Sequence, residues 1–181
     1  MKKIIFLLSL FSQSVWGQIG LLFPEIEGIT LKEKKMSIPS STKGKVTLVG
    51  IAYSKKSDEL LKEWHNPMYE TFINPPKSVL VPTDEYDVHM YFIGMLRGLA
   101  DVVSDKIIKD MKVKIDSKLH SNVLVYEGSI KEYKELLKLG EKELPYFFVL
   151  DKNGKIVYTT SGAYSDAKMD DIVEVVEKFL E

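Results

Sequence analysis

The sequence predicts a three-layer α/β/α domain around a mixed central sheet, closed by a C-terminal β-hairpin and helix. Three observations carry that expectation. From Val46 onward, runs that are apolar on both faces alternate with amphipathic helical patterns, which describes strands covered by helices. The last two strand-like runs, Tyr146 to Leu150 and Lys155 to Thr160, are separated by Asp151-Lys152-Asn153-Gly154, and Asn-Gly is a strong hairpin signal. The chain has 181 residues, 45% of them hydrophobic, which suits one ordinary domain with a sizeable core.

The elements follow in order. Met1-Lys2-Lys3 is a short basic start, and Ile4 to Phe11 is almost wholly apolar. Val15-Trp16-Gly17 fits a cleavage site, so residues 1–17 read as a Sec-type signal peptide with Gln18 as the mature start. The run is too short to cross a hydrocarbon core, which needs about 20 residues. The product is expected outside the cytoplasm, in the periplasm or beyond the cell, with no stable membrane insertion. Residues 18–43 carry alternating patches that predict a short N-terminal hairpin, and 44–181 the main domain.

Val46 to Tyr53 is the first buried strand. Ser54 to Ser57 is a polar break, with Ser57 as the expected N-cap of a helix whose apolar face is Leu60, Leu61, Trp64, Met68 and Phe72. Pro67 should kink or break that helix. Asn74 to Asp87 is a Pro-rich loop, and Val88 to Ile93 a second buried strand. Leu99, Val102, Val103, Ile107, Ile108 and Met111 mark a second helix. Asn122 to Glu127 is a third strand. Ser129 should cap a third helix that Gly140 closes, and Asp166 a final one with Met169, Ile172, Val173, Val176 and Phe179 inward.

Composition excludes several chemistries. With no cysteine, the chain has no disulfide, no thiol nucleophile and no Cys-ligated metal. A formal net charge of −1 supplies no field for nucleic acid. No Gly-rich phosphate loop or G-x-S-x-G elbow is present, and no cofactor is expected. Asp151-x-Asn153-Gly154 begins like a calcium loop but has Gly162 where the twelfth-position glutamate belongs. His65, His89 and His120 are the only histidines; no Asp/Glu pair flanks His65 or His89 at ligand spacing, so packing or surface roles are expected rather than metal binding or base catalysis.

This element order, with Leu144-Pro145-Tyr146 ahead of the final hairpin, resembles the thioredoxin fold. The resemblance implies a cis-proline at Pro145 and a Cys-x-x-Cys where the first strand enters its helix. Here that stretch is Ser54-Lys55-Lys56-Ser57-Asp58-Glu59, and a hydroxyl does not replace the thiolate and resolving thiol of that chemistry. A narrower set of motifs is Gly44-Lys45-x-Thr47-Leu48, Trp64-x-x-Pro67 with Phe72, Tyr146-x-x-Val149-Leu150-Asp151-x-x-Gly154-x-Ile156, and Ser161-Gly162-Ala163. Together they are similar to the mitochondrial ATP synthase assembly factor (ATP10) family. That resemblance implies a thioredoxin-like protein that is no oxidoreductase and acts as a chaperone for a membrane subunit.

The expected function is therefore a redox-inactive binder of a protein or extended peptide partner. The expected site is Tyr53, Ser54, Lys55, Lys56 and Ser57 on one side and Leu144, Pro145 and Tyr146 on the other, a groove that takes a strand through backbone hydrogen bonds. Tyr53, Tyr146 and Tyr164 either frame that groove or pack in the core. Lys55 and Lys56 either meet an anionic partner or are simply solvated. Two other readings stand beside it: a small-molecule binder lidded by Asn74–Asp87, and a cysteine-independent enzyme using His65 or the acidic residues near the groove.

Overall fold

The structure, a computed structural model, describes residues 16–75, 86–96 and 101–180. The expected leader up to Val15, most of the Pro-rich loop and Leu99 lie outside the described residues. The elements are β1 (Ile26–Thr30), β2 (Lys35–Ile38), β3 (Val46–Ala52), α1 (Lys55–Phe72), β4 (Val88–Leu96), α2 (Asp101–Lys114), β5 (Val123–Glu127), α3 (Lys131–Leu136), β6 (Tyr146–Leu150), β7 (Ile156–Ser161) and α4 (Asp166–Leu180). The seven strands form one sheet in the order β2-β1-β5-β4-β3-β6-β7. β3, β4 and β5 run parallel, and the remaining pairings are antiparallel, so the sheet is mixed as the sequence predicts. The N-terminal hairpin β1–β2 joins this sheet through β5.

All seven residues of β3 are buried, because both faces of the sheet are covered there. Leu48, Met90, Phe92, Phe147 and Val149 face Trp64, Met68 and Phe72 of α1 and Met169, Ile172 and Val176 of α4. Val49, Ile51, Ile93, Phe148 and Leu150 face the other way, onto Phe23, Ile26, Ile38, Ile130 and Leu137. The second face is thus covered by the short α3 and by the N-terminal arm. That arm is tied to the hairpin by Gly20 N–H to the Ile156 carbonyl (2.7 Å) and Phe23 N–H to the Gly154 carbonyl (2.9 Å).

Several local expectations change. Pro67 does not break α1, which runs unbroken from Lys55 to Phe72. The lost N–H is outweighed by Trp64 and Met68, buried on either side of it, which hold both halves against the sheet. Helix α3 starts after Ile130 with no side-chain cap, although Ser129 Oγ still accepts from Lys131 N–H at 3.4 Å. The left-handed residue that ends α3 is Lys138 (φ 48°), not Gly140, since the helix stops a turn earlier than Gly140 would allow. In α4, Asp166 is the first helical residue, and Ser165 Oγ accepts from Lys168 N–H at 3.4 Å.

The β6–β7 turn forms as the sequence indicates. Asp151 Oδ1 accepts from the N–H groups of Asn153 and Lys155, both at 2.8 Å. Gly154 has φ 84°, and a Cβ there would come within 2.7 Å of Pro39 Cβ. Gly154→Ala combines left-handed strain with that clash and is expected to cost about 2 kcal/mol, read as a lower urea midpoint at unchanged m-value.

Candidate functional site

The site forms where β3 ends and α1 begins, beside the start of β6. The register Ile51↔Tyr146 brings these segments together. The residue that caps α1 is Ser54 rather than Ser57. Ser54 Oγ accepts from Ser57 N–H (3.1 Å), and Ser57 Oγ accepts from Ser54 N–H (3.0 Å) and Tyr53 N–H (3.2 Å). The capping box wins because it satisfies donors on both sides of the helix start, which Ser57 alone would not. Lys55 and Lys56 therefore belong to the first helical turn and not to a loop. Ser54→Ala is expected to cost about 1 kcal/mol by urea unfolding.

The two serines are separated by two residues, the spacing of a Cys-x-x-Cys pair, with their Oγ atoms 3.1 Å from each other. The sequence carried this signal, but its meaning depends on Ser54 being the cap. A hydrogen-bonded hydroxyl pair at the helix N-terminus has no route to thiol–disulfide exchange.

On the other side, the segment from Leu139 to Glu143 lies against this helix start. Tyr53 Oη donates to the Leu139 carbonyl (3.2 Å) and Ser54 Oγ to the Lys142 carbonyl (2.7 Å). Lys56 Nζ donates to Glu143 Oε2 (2.8 Å), and Tyr146 Oη to the Glu141 carbonyl (3.1 Å). The Glu143 carboxylate raises the Lys56 pKa, and Lys56 lowers that of Glu143. Burial pushes the Tyr146 phenol up.

The structure thus gathers all eight predicted residues, but it does not expose them equally. Tyr53 is buried and stacked near Tyr146, ring centroids 6.4 Å apart; Ser57 and Pro145 are buried too. Ser54, Leu144 and Tyr146 are half-buried, and Lys55 is open to solvent. The Leu144–Pro145 bond is trans; among the described residues the cis bond is Ile38–Pro39. Trans is the intrinsic preference of an X–Pro bond, and here the Pro145 carbonyl meets Gly162 N–H at 2.9 Å in that form.

The remaining candidates are accounted for by packing. Trp64 is fully buried, and Tyr164 packs edge-on against it at 5.2 Å rather than framing the groove. His65 is buried against Phe92 with ring centroids 4.3 Å apart, and its Nε2 has no hydrogen-bond partner among the described residues. His120 Nε2 lies 3.0 Å from the Ile115 carbonyl, and burial lowers the pKa of the half-buried His89. Among the described residues no three His, Asp or Glu side chains gather as metal ligands, and no helix is long and apolar enough to cross a membrane.

Solved structures share this fold. The chain is similar to the exposed lipoprotein thioredoxin Etrx1 from Streptococcus pneumoniae, at 18% identity and TM-score 0.54, over 86% of this chain and 99% of that one. It is similar to BsSco, a member of the Sco family of cytochrome c oxidase assembly proteins, at 15% identity and TM-score 0.55, over 91% and 96%. A peroxiredoxin-like protein from Aquifex aeolicus aligns at 14% identity and TM-score 0.53, over 89% and 86%. The fold is therefore thioredoxin-like, without the cysteines of that chemistry. No curated protein matches the chain in sequence. The profile of the ATP10 protein family matches residues 12–179, and the chain belongs to that family.

Proposed function

We propose that this protein is a redox-inactive assembly factor that binds an extended segment of a protein partner at the α1 start and the Leu144–Tyr146 segment leading into β6. The observation that carries the reading is the Ser54–Ser57 pair: the scaffold keeps the helix start facing β6 while its reactive sulfurs are replaced by hydroxyls. What remains is a surface of side-chain donors beside a turn, which suits recognition of a main chain and not group transfer. Membership of the ATP10 family supports a client in ATP synthase assembly, and BsSco is an assembly protein on the same fold. Met1-Lys2-Lys3 and the apolar Ile4–Phe11 support export.

The test is a strain lacking this protein, its membrane complexes separated on native gels. Loss of assembled ATP synthase, restored by the wild-type chain, is expected. Restoration only by a Ser54→Cys, Ser57→Cys chain would contradict the reading, because it would show that thiol chemistry is required.

A second reading has one specific observation behind it. A cleft of about 660 Å³ lies away from the groove, lined by Ile29, Met36, Ile108 and Val125 with Glu27 and Lys35 at its rim. A metabolite thermal-shift screen of several degrees, lost on Met36→Trp, would move the function there.

A further inference from the structure

Four side-chain hydrogen bonds between the groove and the Leu139–Glu143 strap share one polarity. Every donor comes from the predicted site: the hydroxyls of Tyr53, Ser54 and Tyr146 and the ammonium of Lys56. Every acceptor comes from the strap: three main-chain carbonyls and one carboxylate. Those acceptors are what an extended acidic peptide offers. The strap is anchored at Leu139, which is buried in the core, while Gly140, Glu141 and Lys142 are exposed and Glu143 is half-buried, so its acidic part can leave the groove without uncovering apolar surface. Leu144 N–H, a main-chain donor of the site, also turns back onto the Glu141 carbonyl (3.3 Å). Next to Lys56, the Lys55 side chain is 93% exposed and sits 4.0 Å from Glu59, which leaves a cation beside the groove open to a further carboxylate.

We propose that the strap is an internal occupant of this groove, and that the partner is an acidic segment in extended conformation which displaces it. This rests on the partner-binding reading of the site. The charge-assisted bond to Glu143 gives the occupant its register, and a partner gains entry by placing its own Asp or Glu on Lys56. An attached strap competes at an effective concentration in the millimolar range, so the groove is closed to weak ligands and open to a segment with several matched acceptors.

The test uses a synthetic peptide copy of residues 138–144 (KLGEKEL), titrated into the isotope-labelled full chain and followed by amide NMR shifts. In a Lys142→Gly, Glu143→Gln variant, shifts at Tyr53–Ser57 and Tyr146 are expected at about 5 mM peptide, with binding at least about tenfold weaker in the wild type. The binding should fall with added salt and vanish for a peptide with both glutamates replaced by glutamine. No shift in the variant, equal binding to both proteins, or equal binding of the glutamine peptide would each overturn the proposal. The same spectra report whether the variant is folded. Photo-crosslinking at Lys55 in cells separates the two levels. A captured partner without peptide shifts would sink only the strap's role; shifts without a captured partner would sink the underlying reading and displacement with it.

Discussion

Trp64→Ala is expected to lower the unfolding free energy by about 3–5 kcal/mol, measured by urea unfolding of the purified chain. Trp64 is fully buried in the layer between α1 and the sheet. Its ring lies 4.2 Å from that of Phe147 on β6 and 5.2 Å from that of Tyr164. Its Nε1–H donates to the Gly162 carbonyl at 3.1 Å, across the end of the hairpin. The truncation therefore opens a cavity and orphans a buried carbonyl in one step. A typical domain has only about 5–15 kcal/mol of stability, so the loss is a large share of it. Trp64→Phe keeps the packing and loses the donor, and about 1–3 kcal/mol is expected for it. If both variants cost the same, the hydrogen bond dominates and the cavity account fails.

Acidification is expected to destabilise the protein through His65 by roughly 2–3 kcal/mol between pH 7 and pH 4.5. Burial holds the imidazole neutral with its pKa lowered from 6.5 to about 4, against the pull of Asp58 and helped by Lys62. In the unfolded chain the ring regains an ordinary pKa, so below pH 6.5 the unfolded state binds the proton and the folded state does not. The stability is thus complete above about pH 6.5 and is lost as pH falls towards 4. Glu25 adds an acid loss of its own at the lower end, because hydrogen bonds from Ser37 and Ser40 lower its pKa against the opposing effect of burial. The comparison is therefore with His65→Leu, whose acid loss should be smaller by that amount. Equal pH dependence of the two proteins would show that His65 does not resist protonation.

Much of the fold was legible because its signals are local. The central strands are apolar on both faces, Trp64, Met68 and Phe72 recur at helical spacing, and Asn153-Gly154 sits where the hairpin turns. Expectations failed where long-range contacts decide between local options. Pro67 is tolerated because buried neighbours keep α1 continuous through it, and that burial is a property of the sheet opposite. Ser57 is the cap expected from sequence, and the reciprocal bonding makes it Ser54 instead. A bond such as Ser54 to Lys142, 88 residues apart in the chain, leaves no periodic trace. The site residues were found from the resemblance, but the burial of Tyr53 and Pro145 was not readable from them.

The central claim is that the face presenting Lys55 meets a protein partner. A photoreactive residue at Lys55, at the exposed start of α1, compared with one at the exposed Lys178 on α4, tests it most directly in intact cells. The account predicts one discrete cross-linked protein at Lys55 that is absent at Lys178 and is reduced by Lys56→Glu. The same abundant proteins at both positions, or none at Lys55, would contradict it.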